Sequence, residues 1–185
     1  MGYNKTNYEY SVTNYDQDWP KRFETIKTKL SEIFGPKILR IEHIGSTSVP
    51  EMKAKPTIDI LVELSEISDL THETQEMEKL GYTRFDNYIA PNSLLFMDGS
   101  GKERTEIIHI FPEGHPDISD KLGLRDFLRT HPDEVSQYEN IKTDLASRFP
   151  DDYISYRKFK DEFVQNLLKR VREWQNSIST KASSK

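Results

Sequence analysis

The chain has 185 residues, a length that one hydrophobic core can serve, and its 26 Lys and Arg against 31 Asp and Glu give a net charge of −5. That balance excludes a broad nucleic-acid surface, whose affinity would come from neutralising many phosphates, but leaves room for a local basic patch. The absence of cysteine excludes disulfides, thiolate zinc sites, iron–sulfur clusters and cysteine nucleophiles, so any metal must sit on oxygen or imidazole.

No apolar run approaches the roughly 20 residues of a membrane span, and the first ten residues lack the apolar core of a secretory signal. The expectation is a cytoplasmic protein without a membrane partner. Gly2 and Thr6 meet only a loose N-myristoylation pattern. Asp18, as N-cap, and Pro20 open a helix in which Phe23, Ile26, Leu30, Ile33 and Phe34 recur at helical spacing until Gly35-Pro36 stops it. Residues 37–44 read as a strand, 45–56 as a proline-bounded loop or short helix, and 57–64 as a β-branched, mostly apolar strand. A helix over 69–80 precedes strands over 82–85, 93–97 and 104–111, with Asp98-Gly99-Ser100-Gly101 as the hairpin turn between the last two. From Pro116 onward only helices are predicted, over 117–130, 132–148 and from Asp151 to about residue 176, with a polar tail over 177–185. Strands early and helices late predict an α+β fold, a mixed β-sheet with flanking helices and a C-terminal helical layer, as one domain over 1–176.

The chemistry is concentrated in residues 41–64. Gly45-Ser46-Thr47-Ser48 follows a strand and offers a phosphate cradle: a glycine for close backbone approach, with hydroxyl and amide donors. The same tetrapeptide is also a common turn. Asp59 lies inside the apolar strand Ile58-Asp59-Ile60-Leu61-Val62, and a carboxylate in such a setting points at a partner, a metal or a site. His43 comes two residues before Gly45 and would neighbour Asp59 if their strands pair. It would serve there as a base oriented by a carboxylate, as a metal ligand, or as a strand-end histidine bonded to backbone. Arg125 and Arg129 share one helix face and could clamp phosphates, or pair with acids within the protein.

Gly45-Ser46, twelve residues and then Asp59 resemble the signature of polymerase-β-type nucleotidyltransferases. Over the longer span from Tyr15 to Phe163 the chain resembles the GrpB family, an uncharacterised group with a nucleotidyltransferase-like fold. The matching pieces include Trp19-Pro20, the run from Ile41 to Pro50, Ala54-Lys55-Pro56, Ile58-Asp59-Ile60, Arg104-Thr105 with His109, and Arg125-Asp126 with Leu128-Arg129. Tyr138, Lys142, Tyr156 and Lys160 follow the same pattern. The resemblance implies that Gly45, Ser46, Thr47 and Ser48 hold phosphates together with Lys55, Arg125 and Arg129. It also implies that Asp59 and His109 hold a divalent cation, magnesium or manganese first and zinc as an alternative, with Asp59, His109 and His43 catalytic.

Several positions depart from these patterns. Active nucleotidyltransferases carry two carboxylates two residues apart, about 6.8 Å along one strand face, converging on ions roughly 3.5–4 Å apart. Here Leu61 stands at the second position, and Glu63 is roughly 13 Å along the strand from Asp59. His109 falls where a third acid is expected. Glu106 has the opposite parity and should face the other side of the sheet. Glu51-Met52 follows Pro50 where the family often has glycine and leucine. The implied function is binding of a nucleotide or other phosphorylated small molecule with a divalent metal, with nucleotidyl transfer as the implied reaction. The alternatives are a degenerate module that senses a nucleotide or coenzyme A, and a metal-dependent phosphohydrolase.

Overall fold

The computed structural model of the protein describes residues 12–99 and 104–183. Gly2, Thr6, the Ser100-Gly101 half of the predicted hairpin turn and the last two residues of the tail lie outside them.

Helix α1 (Trp19–Phe34) buries Trp19, Phe23, Ile26, Leu30 and Phe34, a spacing of three or four that puts them on one stripe. Its start differs from the expectation. Asp18 makes no side-chain cap, and Asp16 instead accepts the Asp18 N–H on its carboxylate. Gly35, at φ 51°, ends the helix in a backbone region that side chains resist.

Strands β1 (Ile38–Ile44), β2 (Ile58–Leu64), β3 (Tyr82–Asp86), β4 (Leu94–Asp98) and β5 (Glu106–Pro112) form a mixed sheet in the order β1-β2-β5-β4-β3, in which only β2 and β5 run parallel. Helix α2 (Thr71–Lys79) joins α1 on one face, over Ile58, Ile60, Val62 and Leu64. The opposite face carries Asp59, Leu61 and Glu63, and there α3 (Pro116–Thr130) covers Leu61, packed with Ile44, Phe111 and Ile118. Burying both faces of β2 explains why its sequence reads as almost unbroken apolar residues.

Helices α4 (Pro132–Arg148) and α5 (Tyr153–Ser183) complete the C-terminal layer. Their core joins Phe127 and Leu128 of α3 to Tyr138, Leu167 and Val171, and it takes in Val49 and Met52 from the loop after β1. The loop is therefore held between the sheet edge and the helical layer. Met52, fully buried, occupies the place where the family pattern has leucine. Helix α5 starts on Asp152, whose carboxylate accepts the Ser155 N–H, and continues beyond the predicted end near residue 176. The helix runs through this polar stretch, where Ser177, Ser179 and Thr180 bond back to carbonyls one turn earlier.

Candidate functional site

The site is organised by the turn after β1. Gly45 adopts φ 72°, and a Cβ at this position would lie 2.6 Å from Oδ2 of Asp59. Only glycine permits both the backbone conformation and this approach of loop to carboxylate. A short 3-10 turn follows over Ser46–Ser48, and the Ser46 and Thr47 amides donate no hydrogen bond among the described residues. Two of the three loop hydroxyls are committed internally. Thr47 donates to the Thr57 carbonyl, and Ser48 donates to the Gly45 carbonyl at 2.6 Å. Ser46 is the hydroxyl left to the site, 3.4 Å from Nζ of Lys142.

Asp59 and His109 are brought together as expected, with His109 Nε2 at 3.3 Å from Asp59 Oδ1. Burial, reinforced by the charge of Lys121, lowers the His109 pKa and keeps the imidazole neutral. A carboxylate can only accept, so Nε2 carries the proton and donates it to Asp59. Nδ1 is then a bare acceptor, buried without a partner among the described residues. Leu61 is fully buried under α3, so the second carboxylate position has become core. Glu63 accepts the Gly114 N–H and pairs with Arg40, tying down the turn after β5. Glu106 faces the other side of the sheet, as parity required, and accepts the Tyr82 hydroxyl.

Three residues assigned to the site serve its scaffold. β1 and β2 do pair, but His43 stands opposite Ile60, and its side chain lies on the α1 face, away from Asp59. It stacks on Phe23 and donates from Nε2 to the Thr47 hydroxyl at 3.0 Å, which passes the bond on to Thr57. Burial first, then Arg129 and Arg125 against the pull of Asp59, lowers its pKa to about 4. A neutral His43 thus braces the loop. Arg129 donates twice to the Ser48 carbonyl, at 3.1 and 2.8 Å, and faces a separate cavity beside Phe23. Arg125 donates to Glu42, Asp126 and the His43 carbonyl, although it still borders the site. The pair expected to clamp phosphate clamps the loop.

A cleft of about 280 Å³ opens between this loop, β2, β5 and the three C-terminal helices. Lys55, Arg104, Lys121, Arg125, Lys142 and Lys160 line it, and the carboxylate among its lining residues is Asp59. Burial lowers the pKa of Lys55 and Lys121, and that of Lys142 to about 8. Lys142 donates to the Lys53 carbonyl at 2.6 Å and lies 4.9 Å from the centre of the Tyr138 ring. A concave surface with this charge concentrates anions and holds them by charge-assisted hydrogen bonds.

The fit to a metal is poor. No group of three His, Asp or Glu side chains able to hold an ion occurs among the described residues. Asp59 and His109 supply two donors that are bonded to each other, and Leu61 removes the carboxylate that would bridge a second ion. These residues do not form a two-ion site.

Two cleft residues, Lys121 and Arg104, escaped assignment from the sequence. Lys121 precedes Arg125 by four residues and so shares its helix face, a signal that was present but common to many solvated lysines. Arg104 enters the cleft through its place just before β5, which periodicity does not mark.

Comparison with known proteins agrees with this architecture. The sequence pattern of the family described as GrpB protein matches residues 9–170. The UPF0157 protein YqkA of Bacillus subtilis is 36% identical over 161 residues, covering 86% of this chain and 46% of YqkA, so the chain spans about half of that relative. The crystal structure of GrpB from Enterococcus faecalis has a TM-score of 0.82 at 32% identity, covering 89% of this chain and 99% of that one. A cytoplasmic RNA terminal U-transferase has a TM-score of 0.50 at 14% identity over 74% of this chain and 42% of its own, a likeness of fold alone. With the pattern running through nearly all of the sheet and the helical layer, the chain belongs to the GrpB family.

Proposed function

We propose that this chain binds a nucleotide or another phosphorylated small molecule in the cationic cleft. The observation that supports this reading is the gathering of six cationic side chains around one carboxylate in a chain of net charge −5. Random placement in an acidic protein would pair these cations with acids, whereas Lys121 makes no ion pair among the described residues and Lys142 bonds to a carbonyl. In this reading the Ser46 and Thr47 amides with the Ser46 hydroxyl receive phosphate oxygens, and the lysines neutralise their charge. His43, Arg125 and Arg129 hold the loop in its binding shape. Calorimetric titration with ATP, AMP and inorganic pyrophosphate tests it. The expected result is one saturable site whose affinity falls as salt rises. Absence of binding by all three at low salt refutes the reading.

Nucleotidyl transfer is a second reading, favoured by the contact of the Gly45 turn with Asp59, which sets the cleft's one carboxylate beside the proposed phosphate loop. Release of pyrophosphate from a nucleoside triphosphate, assayed with magnesium and with manganese, separates transfer from binding alone.

A further inference from the structure

Of the cleft's cations, Lys121 and Arg104 have no anionic side chain or carbonyl as partner among the described residues, and Lys121 is the one carried by α3. It projects from α3 into the cavity, and its Nζ lies 5.8 Å from the centre of the Phe111 ring. It makes no hydrogen bond or ion pair among the described residues. Lys121 is half-buried and its ammonium is not among the fully enclosed polar atoms, so the cleft leaves it open to an anionic ligand. The charged and titratable groups acting on it come from every neighbouring element: Asp59 of β2 attracts most, then Asp117 and Asp120 of α3, while Lys160 of α5 repels and the neutral His109 of β5 shares Asp59. Two of the three acids are engaged elsewhere, and Asp117, one turn back on the same helix, makes no ion pair with Lys121 among the described residues. Asp120 is held by Arg172 through two bonds of 2.9 and 2.5 Å, and one oxygen of Asp59 is held by His109.

Asp59 and Lys121 line the same cleft, and Asp59 is the acid that attracts the ammonium most. We propose that Lys121 takes the place of a divalent ion beside Asp59, so that the cleft binds phosphate groups without metal. The inference rests on the phosphate-binding reading and deepens it. An ammonium is a compact point charge with three donors, able to donate to a ligand phosphate oxygen and supply there the positive charge that a bound cation would bring. Leu61 makes the same point from the other side. A site that kept two ions would need a carboxylate where α3 packs, and the helix that buries Leu61 also delivers Lys121. Removing the negative charge of Asp59 has opposite consequences in the two cases. It destroys a metal site, but in a lysine site it removes a competitor for the ammonium.

The experiment is calorimetric titration of inorganic pyrophosphate in EDTA and in excess magnesium, with the wild-type protein and three variants. Wild type is expected to bind in EDTA. Lys121→Met should lose about tenfold or more in affinity there, Lys121→Arg should recover part of it, and Asp59→Asn should bind no more weakly than wild type. Binding that appears only with magnesium, loss of binding in Asp59→Asn, or wild-type affinity in Lys121→Met each overturns the inference. The Asp59→Asn arm decides it even if Lys121→Met fails to fold. Absence of binding by wild type in both buffers overturns the phosphate-binding reading itself, and this inference with it, whereas metal-only binding overturns this inference alone.

Discussion

Lys142 offers a measurement that depends on the geometry of the cleft wall and on no ligand. It is 6% exposed, and burial holds its pKa near 8 against the usual 10.5, with Glu139 opposing the shift and Lys160 adding to it. At about 1.4 kcal/mol per unit, that shift corresponds to about 3 kcal/mol of destabilisation whenever the buried amine is charged. The sign follows from proton counting. Below pH 8 both folded and unfolded chains hold the proton, and the folded state bears the whole cost. Between pH 8 and 10.5 the unfolded chain binds more protons, so the Lys142 contribution to stability rises with pH, and it levels off above 10.5. Lys142→Met removes the titration and keeps most of the side-chain volume. The wild-type stability minus that of Lys142→Met, from urea unfolding at a series of pH values, should therefore shift toward wild type by about 3 kcal/mol across that window. Taking the difference cancels the other groups that titrate in alkali. A difference that stays flat from pH 7.5 to 10.5 would refute the claim that the buried ammonium is held in its charged form at a cost.

Gly45→Ala should destabilise by at least about 2 kcal/mol, from the left-handed backbone and from the collision with Asp59 at 2.6 Å, and thermal unfolding should show a loss of several degrees. Unchanged melting would mean the turn and Asp59 are not in contact. Glu51 adopts φ 64°, in the position where the GrpB pattern often has glycine, so Glu51→Gly should raise stability by about 0.5–1 kcal/mol in urea unfolding. A destabilised variant would contradict that backbone conformation. His43→Ala, which removes the brace on Thr47 and the stack on Phe23, should cost about 2 kcal/mol at pH 8, and the cost should shrink by about 1.4 kcal/mol per pH unit as pH falls from 6.5 toward 5, because the unfolded chain binds a proton that the folded imidazole does not. A stability difference that stays flat from pH 8 to 5 would show that folding does not hold the imidazole neutral.

Much of the site could be read along the chain because local rules carried it. Alternation settled that His109 and Glu106 part company across the sheet, and an acid within an apolar strand marked Asp59. The strand before Gly45-Ser46 located the turn that approaches it. Reading failed where a role depends on what lies across a gap. His43 is two residues from the loop in either case, but the antiparallel register opposite Ile60 sends it to the α1 face, where Phe23 is waiting. Arg125 and Arg129 looked like ligand donors because their spacing shows a shared face, and spacing says nothing of the Ser48 and His43 carbonyls that meet that face.

By itself, then, the sequence determined the order of elements, the α+β class, the absence of any thiolate chemistry and the family. The first three follow from composition, periodicity and residue spacing along one chain, and the family from the resemblance of its motifs. Tertiary structure decided which cations are spent and which are left. Helix α3 packs by burying Ile118, Phe127 and Leu128, and the rotation this imposes turns Lys121 into the cleft and the two arginines onto the loop. A net charge of −5 therefore coexists with a strongly cationic cleft, because packing, and not composition, chooses which charges face one another.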